Sequence, residues 1–255
     1  MNLHLTGTDG AQVVRTPTLT LMQNAAHVAL TLKEIAVGFG PPGTGKTLAA
    51  HTVTSELIEG LASTGGPQRL VRVQVPRSRS PKSLYVEWLR ALTGQLIRGT
   101  EYELKYELLD LLGDGRTVTL IDEAQHLGAE GLEQVREIYD RIDGNIPLIV
   151  IGSSTVEDVL RASPQLRSRV ARPVRFEPIA PVDPPAVLAQ YHPLFDGADP
   201  TVIGRLDAKF ARRNFRRWAR VLQAGLRGAP ALGHSGPIDS KMADVVLAEL
   251  VVTRR

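Results

Sequence analysis

The chain has 255 residues, 43% apolar, 22% charged and 5% aromatic, with no cysteine. That length holds a sizeable core, one α/β domain and a small appendage. The apolar content excludes a disordered chain, and the lack of cysteine excludes disulfides, thiolate nucleophiles and cysteine-ligated zinc. No apolar run approaches the roughly 20 residues of a membrane span. The opening MNLHLTGTDGAQ also lacks the basic start and apolar stretch of a secretory signal, so a soluble cytoplasmic protein with no membrane attachment is expected. The net charge of +3 is unevenly spread: residues 1–160 carry 14 basic against 19 acidic side chains, residues 161–255 carry 16 against 8. Arg supplies 24 of the 30 cations, which favours planar recognition of phosphate or carboxylate. A basic half of this kind faces a polyanion, an acidic neighbour or plain solvent.

In chain order, Leu19–Glu34 shows helical spacing at Leu21, Ala25, Val28 and Leu32. Four short apolar runs follow, Ile35–Phe39, Leu70–Val75, Thr117–Ile121 and Pro147–Gly152, each unbroken in the way of buried parallel strands. Helical stretches at Leu48–Ala62, Pro81–Ile97, Tyr102–Leu112 and Gly131–Arg141 separate them, and a weaker fifth strand covers Pro173–Phe176. This alternation predicts a doubly wound parallel sheet with right-handed crossovers. Pro178–Pro185 reads as a linker. Beyond it only helices are expected: Ala186–Tyr191, Thr201–Leu226 (broken once or continuous) and Ser240–Val252. The expected division is an N-terminal segment, 1–34, an α/β core, 35–180, and a small helical domain, 181–255.

Between the first strand and its helix stands Gly40-Pro41-Pro42-Gly43-Thr44-Gly45-Lys46-Thr47, a G-x-x-x-x-G-K-[ST] phosphate loop in its required setting. Its glycines let the backbone wrap a polyphosphate, so that N–H groups and a helix N-terminus face the anion. Lys46 is placed for the β- and γ-phosphates and the Thr47 hydroxyl for Mg²⁺. ATP and Mg²⁺ are the implied cofactors. The third strand delivers Asp122 and Glu123 at its C-terminal end, where open α/β sheets bind ligands. Asp122 suits orientation of the metal's water shell, and Glu123 suits the general base that polarises the attacking water.

GPPGTGKT followed by LIDEAQHL resembles the AAA+ ATPases. The segment Asp122–His126 (DEAQH) is similar to the transposition ATPases of the MuB, TniB and TnsC group, and to the related ExeA/GspA-type ATPases, over about residues 15–225. The resemblance implies a P-loop AAA+ core with a five-stranded sheet and a C-terminal helical lid. It implies ATP hydrolysis and homo-oligomers that form with ATP on duplex DNA, held through phosphates without sequence preference. The partner it implies is a DNA-processing protein such as a transposase. A replication initiator or helicase loader, and an envelope-assembly ATPase, are the other classes it admits.

Further positions follow from the resemblance. Ser153, with Ser154 beside it, stands where the family has a polar sensor, and both also suit a helix cap. Arg169, with Arg167 as the alternative, falls in the segment that carries an arginine finger into a neighbouring subunit; the competing reading is a surface arginine pair. Arg212–Arg217 resembles the family's Gly-Asn-x-Arg lid motif, with Arg213 in place of the Gly. Arg216 then reaches the nucleotide. In a continuous helix, Arg212, Arg216 and Arg220 instead make a stripe open to solvent or nucleic acid. Arg77, Arg79 and Lys82 form a basic loop suited to DNA phosphates or to solvent, with Gln74 a candidate relay from that loop to Glu123. The histidines lack metal-ligand spacing, and Tyr85, Trp88 and Leu89 are expected in the core.

Overall fold

The computed structural model describes residues 10–61, 69–77, 80–180 and 183–252. Its strands, β1 (Ile35–Phe39), β2 (Arg69–Gln74), β3 (Thr117–Asp122), β4 (Leu148–Gly152) and β5 (Val174–Arg175), form one parallel sheet in the order β2-β3-β4-β1-β5. The inner strands β1, β3 and β4 are buried along their whole length. That burial explains their unbroken apolar sequence, because helices cover both faces of the sheet. Register pairs Phe39 with Gly152 and Ile121 with Val150. The three strands therefore end nearly level, and their following loops leave along one edge, the ligand-binding side of parallel sheets.

Among the described residues, seven helices accompany the sheet: α1 (Pro17–Leu32), α2 (Lys46–Leu61), α3 (Pro81–Thr93), α4 (Glu101–Leu112), α5 (Gly128–Arg141), α6 (Thr155–Ala162) and α7 (Pro164–Arg167). Side chains alternate across a strand, and the two faces sort accordingly. Met22, Ala26, Val53 and Leu57 of α1 and α2 meet Ala36, Leu120, Ile149 and Ile151 on one face. On the other, Trp88, Leu108 and Ile138 of α3, α4 and α5 meet Val37, Val73, Ile121 and Val150. Tyr85, Trp88 and Leu89 lie fully inside this core, as the sequence pattern expects. α3 stops before the expected Ile97 because Gly94 takes a left-handed conformation that closes its C-terminus.

The chain forms two compact units. One is the sheet with its helices, within Pro17–Pro41 and Lys46–Phe176; the other takes residues 10–16, Pro42–Gly45 and the described residues from Glu177 on. The second unit contains α8 (Pro184–Tyr191), α9 (Pro200–Leu206), α10 (Phe215–Leu232) and α11 (Ser240–Val252). They pack around Phe195, Leu206, Trp218, Leu222 and Val246, with the Phe195 ring edge-on to Trp218 at 5.7 Å between centroids.

The stretch Thr201–Leu226 is not one helix. After α9 a single π turn, Asp207–Ala211, gives way to Arg212 and Arg213, both left-handed at φ 48° and 59°. α10 then restarts under an Asn214 cap. Such conformations cost a side-chain-bearing residue about 1–2 kcal/mol. One carboxylate oxygen of Asp207 offsets that by accepting from the Arg213 N–H (2.7 Å) and the Trp218 indole N–H (3.2 Å). The continuous-helix reading therefore fails at a turn held by a side chain seven positions before Asn214. Among the described residues, no helix is long and apolar enough to cross a membrane.

Candidate active site

The site begins in the loop after β1. Gly43 and Gly45 adopt φ of 79° and 91°, conformations that a Cβ makes costly. Lys46 opens α2 directly after this turn, and the first turn of a helix is an anion-binding end. Thr44 is buried between the two glycines, and Gly40, Pro41 and Pro42 lead into them. Lys46, the first residue of α2, folds back over this turn: its Nζ donates to the carbonyls of Gly40 (2.8 Å) and Pro41 (2.6 Å). An anionic phosphate oxygen is a stronger acceptor than these neutral carbonyls, so the ammonium is held ready for exchange.

Within the second unit, Asn214 Nδ2 donates to the Pro42 carbonyl and the Phe215 N–H to the Gly43 carbonyl, both at 2.9 Å. A Cβ on Gly43 would stand 2.2 Å from Asn214 Oδ1. That oxygen also accepts from the Arg217 N–H (3.2 Å), capping α10. Arg216, two residues after this cap, is exposed.

At the end of β3, Asp122 is buried to 3% exposure. Its Oδ1 accepts from the Glu123 N–H (2.9 Å) and lies 3.5 Å from the Thr47 hydroxyl. Its Oδ2 pairs with Arg72 of β2 at 2.5 Å, a partner the sequence reading did not foresee. Thr47 and Asp122 bring a hydroxyl and a carboxylate side by side. These hard oxygen donors fit Mg²⁺, which takes one or two protein groups and completes its shell with water and phosphate.

Glu123 is left-handed at φ 60° and opens into a cleft of about 580 Å³ that it shares with Gln74, Arg77, Glu87 and His126. Gln74 stands level with Asp122 across the β2–β3 ladder. The partner of the Glu123 carboxylate, however, is Gln125: its Nε2 donates to Glu123 Oε2, and its Oε1 accepts from the Ser153 N–H (2.9 Å). The Ser153 hydroxyl itself is bonded to that of Thr155 (2.7 Å) at the head of α6. Ser154 occupies the cap position there without a side-chain capping bond.

Arg169 belongs to the opposite end of the sheet. Its carbonyl accepts from the Ile35 N–H (2.7 Å), and the Ala171 N–H donates to the Ile35 carbonyl (3.1 Å). It is thus tied to the first residue of β1, whereas the phosphate loop follows the last. Four strand steps separate these points, about 13 Å. The guanidinium pairs with Asp140 at 2.7 Å while staying 46% exposed, and Arg167 is exposed on α7. Of the expected basic loop, Arg77 is exposed after β2, Lys82 is exposed but stands in the first turn of α3 rather than in a loop, and Arg79 lies outside the described residues.

Residues 31–160 match a family model described as an AAA domain. No curated protein matches the sequence. Among solved structures, the chain is similar to the Aeropyrum pernix ORC2 protein in its ADPNP–ADP complexes (TM-score 0.73, 16% identity, 96% of this chain and 71% of that one). It is also similar to the ORC1 protein of the same organism in complex with DNA (0.71, 19% identity, 96% and 68%). Domain III of the Thermotoga maritima replication initiation protein DnaA is a further match (0.61, 16% identity, 94% and 95%). At these identities the likeness is one of fold.

Proposed function

The chain belongs to the AAA domain family, and from that premise we propose that it is a Mg²⁺-dependent ATPase that assembles with ATP on duplex DNA and switches a DNA-processing partner, a transposase selecting its target. The observation that carries the ATPase reading is the gathering of Lys46, Thr47, Asp122 and Glu123 where β1 and β3 end. Gly40–Thr47 and the N-terminus of α2 hold the polyphosphate. Lys46 exchanges the Gly40 and Pro41 carbonyls for phosphate oxygens. Thr47 and Asp122 hold Mg²⁺, which when bound neutralises charge on the phosphates. Glu123 orients and polarises the attacking water, and Ser153 supplies a polar contact near the reacting phosphate.

The finger comes from another copy. Arg169 is pinned at the wrong end of β1 to serve its own loop, so a homo-oligomer completes the site. Its release from Asp140 leaves that carboxylate paired, because Arg136 also bonds it at 2.6 Å.

DNA binding through Arg77, Arg79 and Lys82 is supported by the exposure of Arg77 and Lys82. The likeness to an ORC1 protein solved with DNA supports it too. The transposition role rests on the DEAQH segment. A second reading, a replication initiator or helicase loader, is favoured by the fold likeness to ORC2 and DnaA domain III. Electron microscopy of the purified chain with an ATP analogue, with and without duplex DNA, tests the proposal. DNA-coated rings or filaments support it; particles indifferent to DNA point instead to an envelope-assembly ATPase.

A further inference from the structure

We propose that Gln125 is the positioning residue for Glu123: its side-chain amide ties the catalytic carboxylate at the end of β3 to the backbone at the end of β4. The inference rests on the ATPase reading given above and deepens it by naming what aims the base.

Three observations carry it. First, the amide orientation is set by chemistry. The Ser153 N–H can only donate, so the Gln125 atom 2.9 Å from it is the carbonyl Oε1. The other end of the amide is then the NH₂ group, a donor, and it meets Glu123 Oε2, an acceptor. One side chain thus satisfies two demands of opposite sign. Second, the seat is built for it. A Cβ on Gly152 would lie 3.2 Å from both the backbone N and the Oε1 of Gln125, and 2.4 Å from Val156 Cγ2. The glycine that ends β4 leaves the room in which Gln125 lies. Third, Glu123 needs a guide. It sits on a left-handed turn between β3 and a short 3₁₀ turn, Ala124–His126, and its backbone is held by Asp122 Oδ1. Its long side chain would otherwise sample several rotamers in the open cleft. With Oε2 fixed by Gln125, Oε1 is left to receive the water.

The arrangement also makes the base respond to the sensor strand. Ser153 is the residue whose backbone holds Gln125, and its own position is where a γ-phosphate contact is proposed. A shift of the β4–α6 turn would move the amide, and with it the carboxylate. A carboxylate displaced by about 1 Å loses on the order of 10²-fold in rate.

The experiment compares the wild-type chain, Gln125→Ala and Gln125→Glu in steady-state ATP hydrolysis with Mg²⁺, with and without duplex DNA. Affinity for a fluorescent ATP analogue and thermal stability are measured beside it. Gln125→Glu is the deciding variant. It keeps the side-chain length and the acceptor for the Ser153 N–H but turns a like charge toward Glu123, so the tie to the end of β4 survives while the hold on Glu123 is lost. Expected for both variants is a kcat about 10²-fold lower, with KM and analogue affinity within twofold of wild type. A Gln125→Glu protein with wild-type kcat overturns the proposal, as does a loss of analogue affinity that matches the loss of kcat. A wild type that binds the analogue but hydrolyses no ATP under either condition overturns the ATPase reading itself, and the assignment of Gln125 with it.

Discussion

Where β1, β3 and β4 end, Lys46, Asp122, Glu123 and Gln125 are bonded to one another, to their neighbours or to the loop they stand on. Where β1 begins, Arg169 is fixed only by its backbone, and its guanidinium is held by one half-exposed ion pair with Asp140. Pairs of that exposure are worth about 0–1 kcal/mol, so the guanidinium is free to leave at little cost. The first end is organised around the buried Asp122. The second offers a cation at the end of a firmly anchored backbone. On the proposed reading, a site that binds and aims would take its last charge from another copy, and so couple turnover to assembly.

The largest effect expected is on that coupling. Arg169→Ala should lower hydrolysis by the assembled protein about 10³-fold and leave analogue affinity of the dilute protein unchanged. Mixing it with Glu123→Gln should restore part of the activity, since some interfaces then join an intact base to an intact finger. Co-assembled mixtures that stay inactive would break the division of labour between the two ends. Glu123→Gln alone should cost about 10²–10³-fold in kcat while ATP still binds, whereas Lys46→Ala should lose ATP binding itself. Equilibrium binding of a fluorescent analogue separates the two.

A smaller effect is expected from the turn before α10. Asp207→Ala removes the acceptor for the Arg213 N–H and the Trp218 indole, a loss of about 1–3 kcal/mol to be read in denaturant unfolding. The smallest effect concerns DNA. Replacing Arg77, Arg79 and Lys82 together with Ala should flatten the slope of log affinity against log salt by somewhat under about 3, each phosphate contact contributing about 0.9. Analogue binding should stay intact. An unchanged slope would leave this loop as solvated surface and turn attention to Arg212, Arg216 and Arg220.

The sheet was legible because its inner strands are buried on both faces and must be apolar throughout. Ile35–Phe39 could be bounded to the residue. The Gly40–Thr47 motif was legible because its residues are contiguous in the chain. What escaped depends on partners distant in sequence. Gln125 finds Ser153 28 positions away, and Arg72 reaches Asp122 from a neighbouring strand 50 positions back. Arg212 and Arg213 hid their turn for a different reason. Two arginines carry a left-handed backbone where a glycine signals one, and the residue that permits it, Asp207, looks in sequence like any polar helix position. α10 likewise runs on through Pro230 to Leu232, past the Leu226 that the apolar pattern predicts.

The Arg72–Asp122 pair has a consequence for the order in which the site fills. In the free protein Asp122 already carries a guanidinium on one oxygen and a peptide N–H on the other, so its charge is spoken for. Asp122 and Thr47 then present a bare divalent cation with little net field, and Arg72 repels it. The attraction has to arrive with the nucleotide, whose phosphates bring several negative charges at once. On the proposed reading, such a site would take its metal together with the nucleotide, held by Thr47 and Asp122. Titration calorimetry without nucleotide should show no binding of Mg²⁺ to the wild type and measurable binding to Arg72→Met, in which no guanidinium offsets the Asp122 carboxylate.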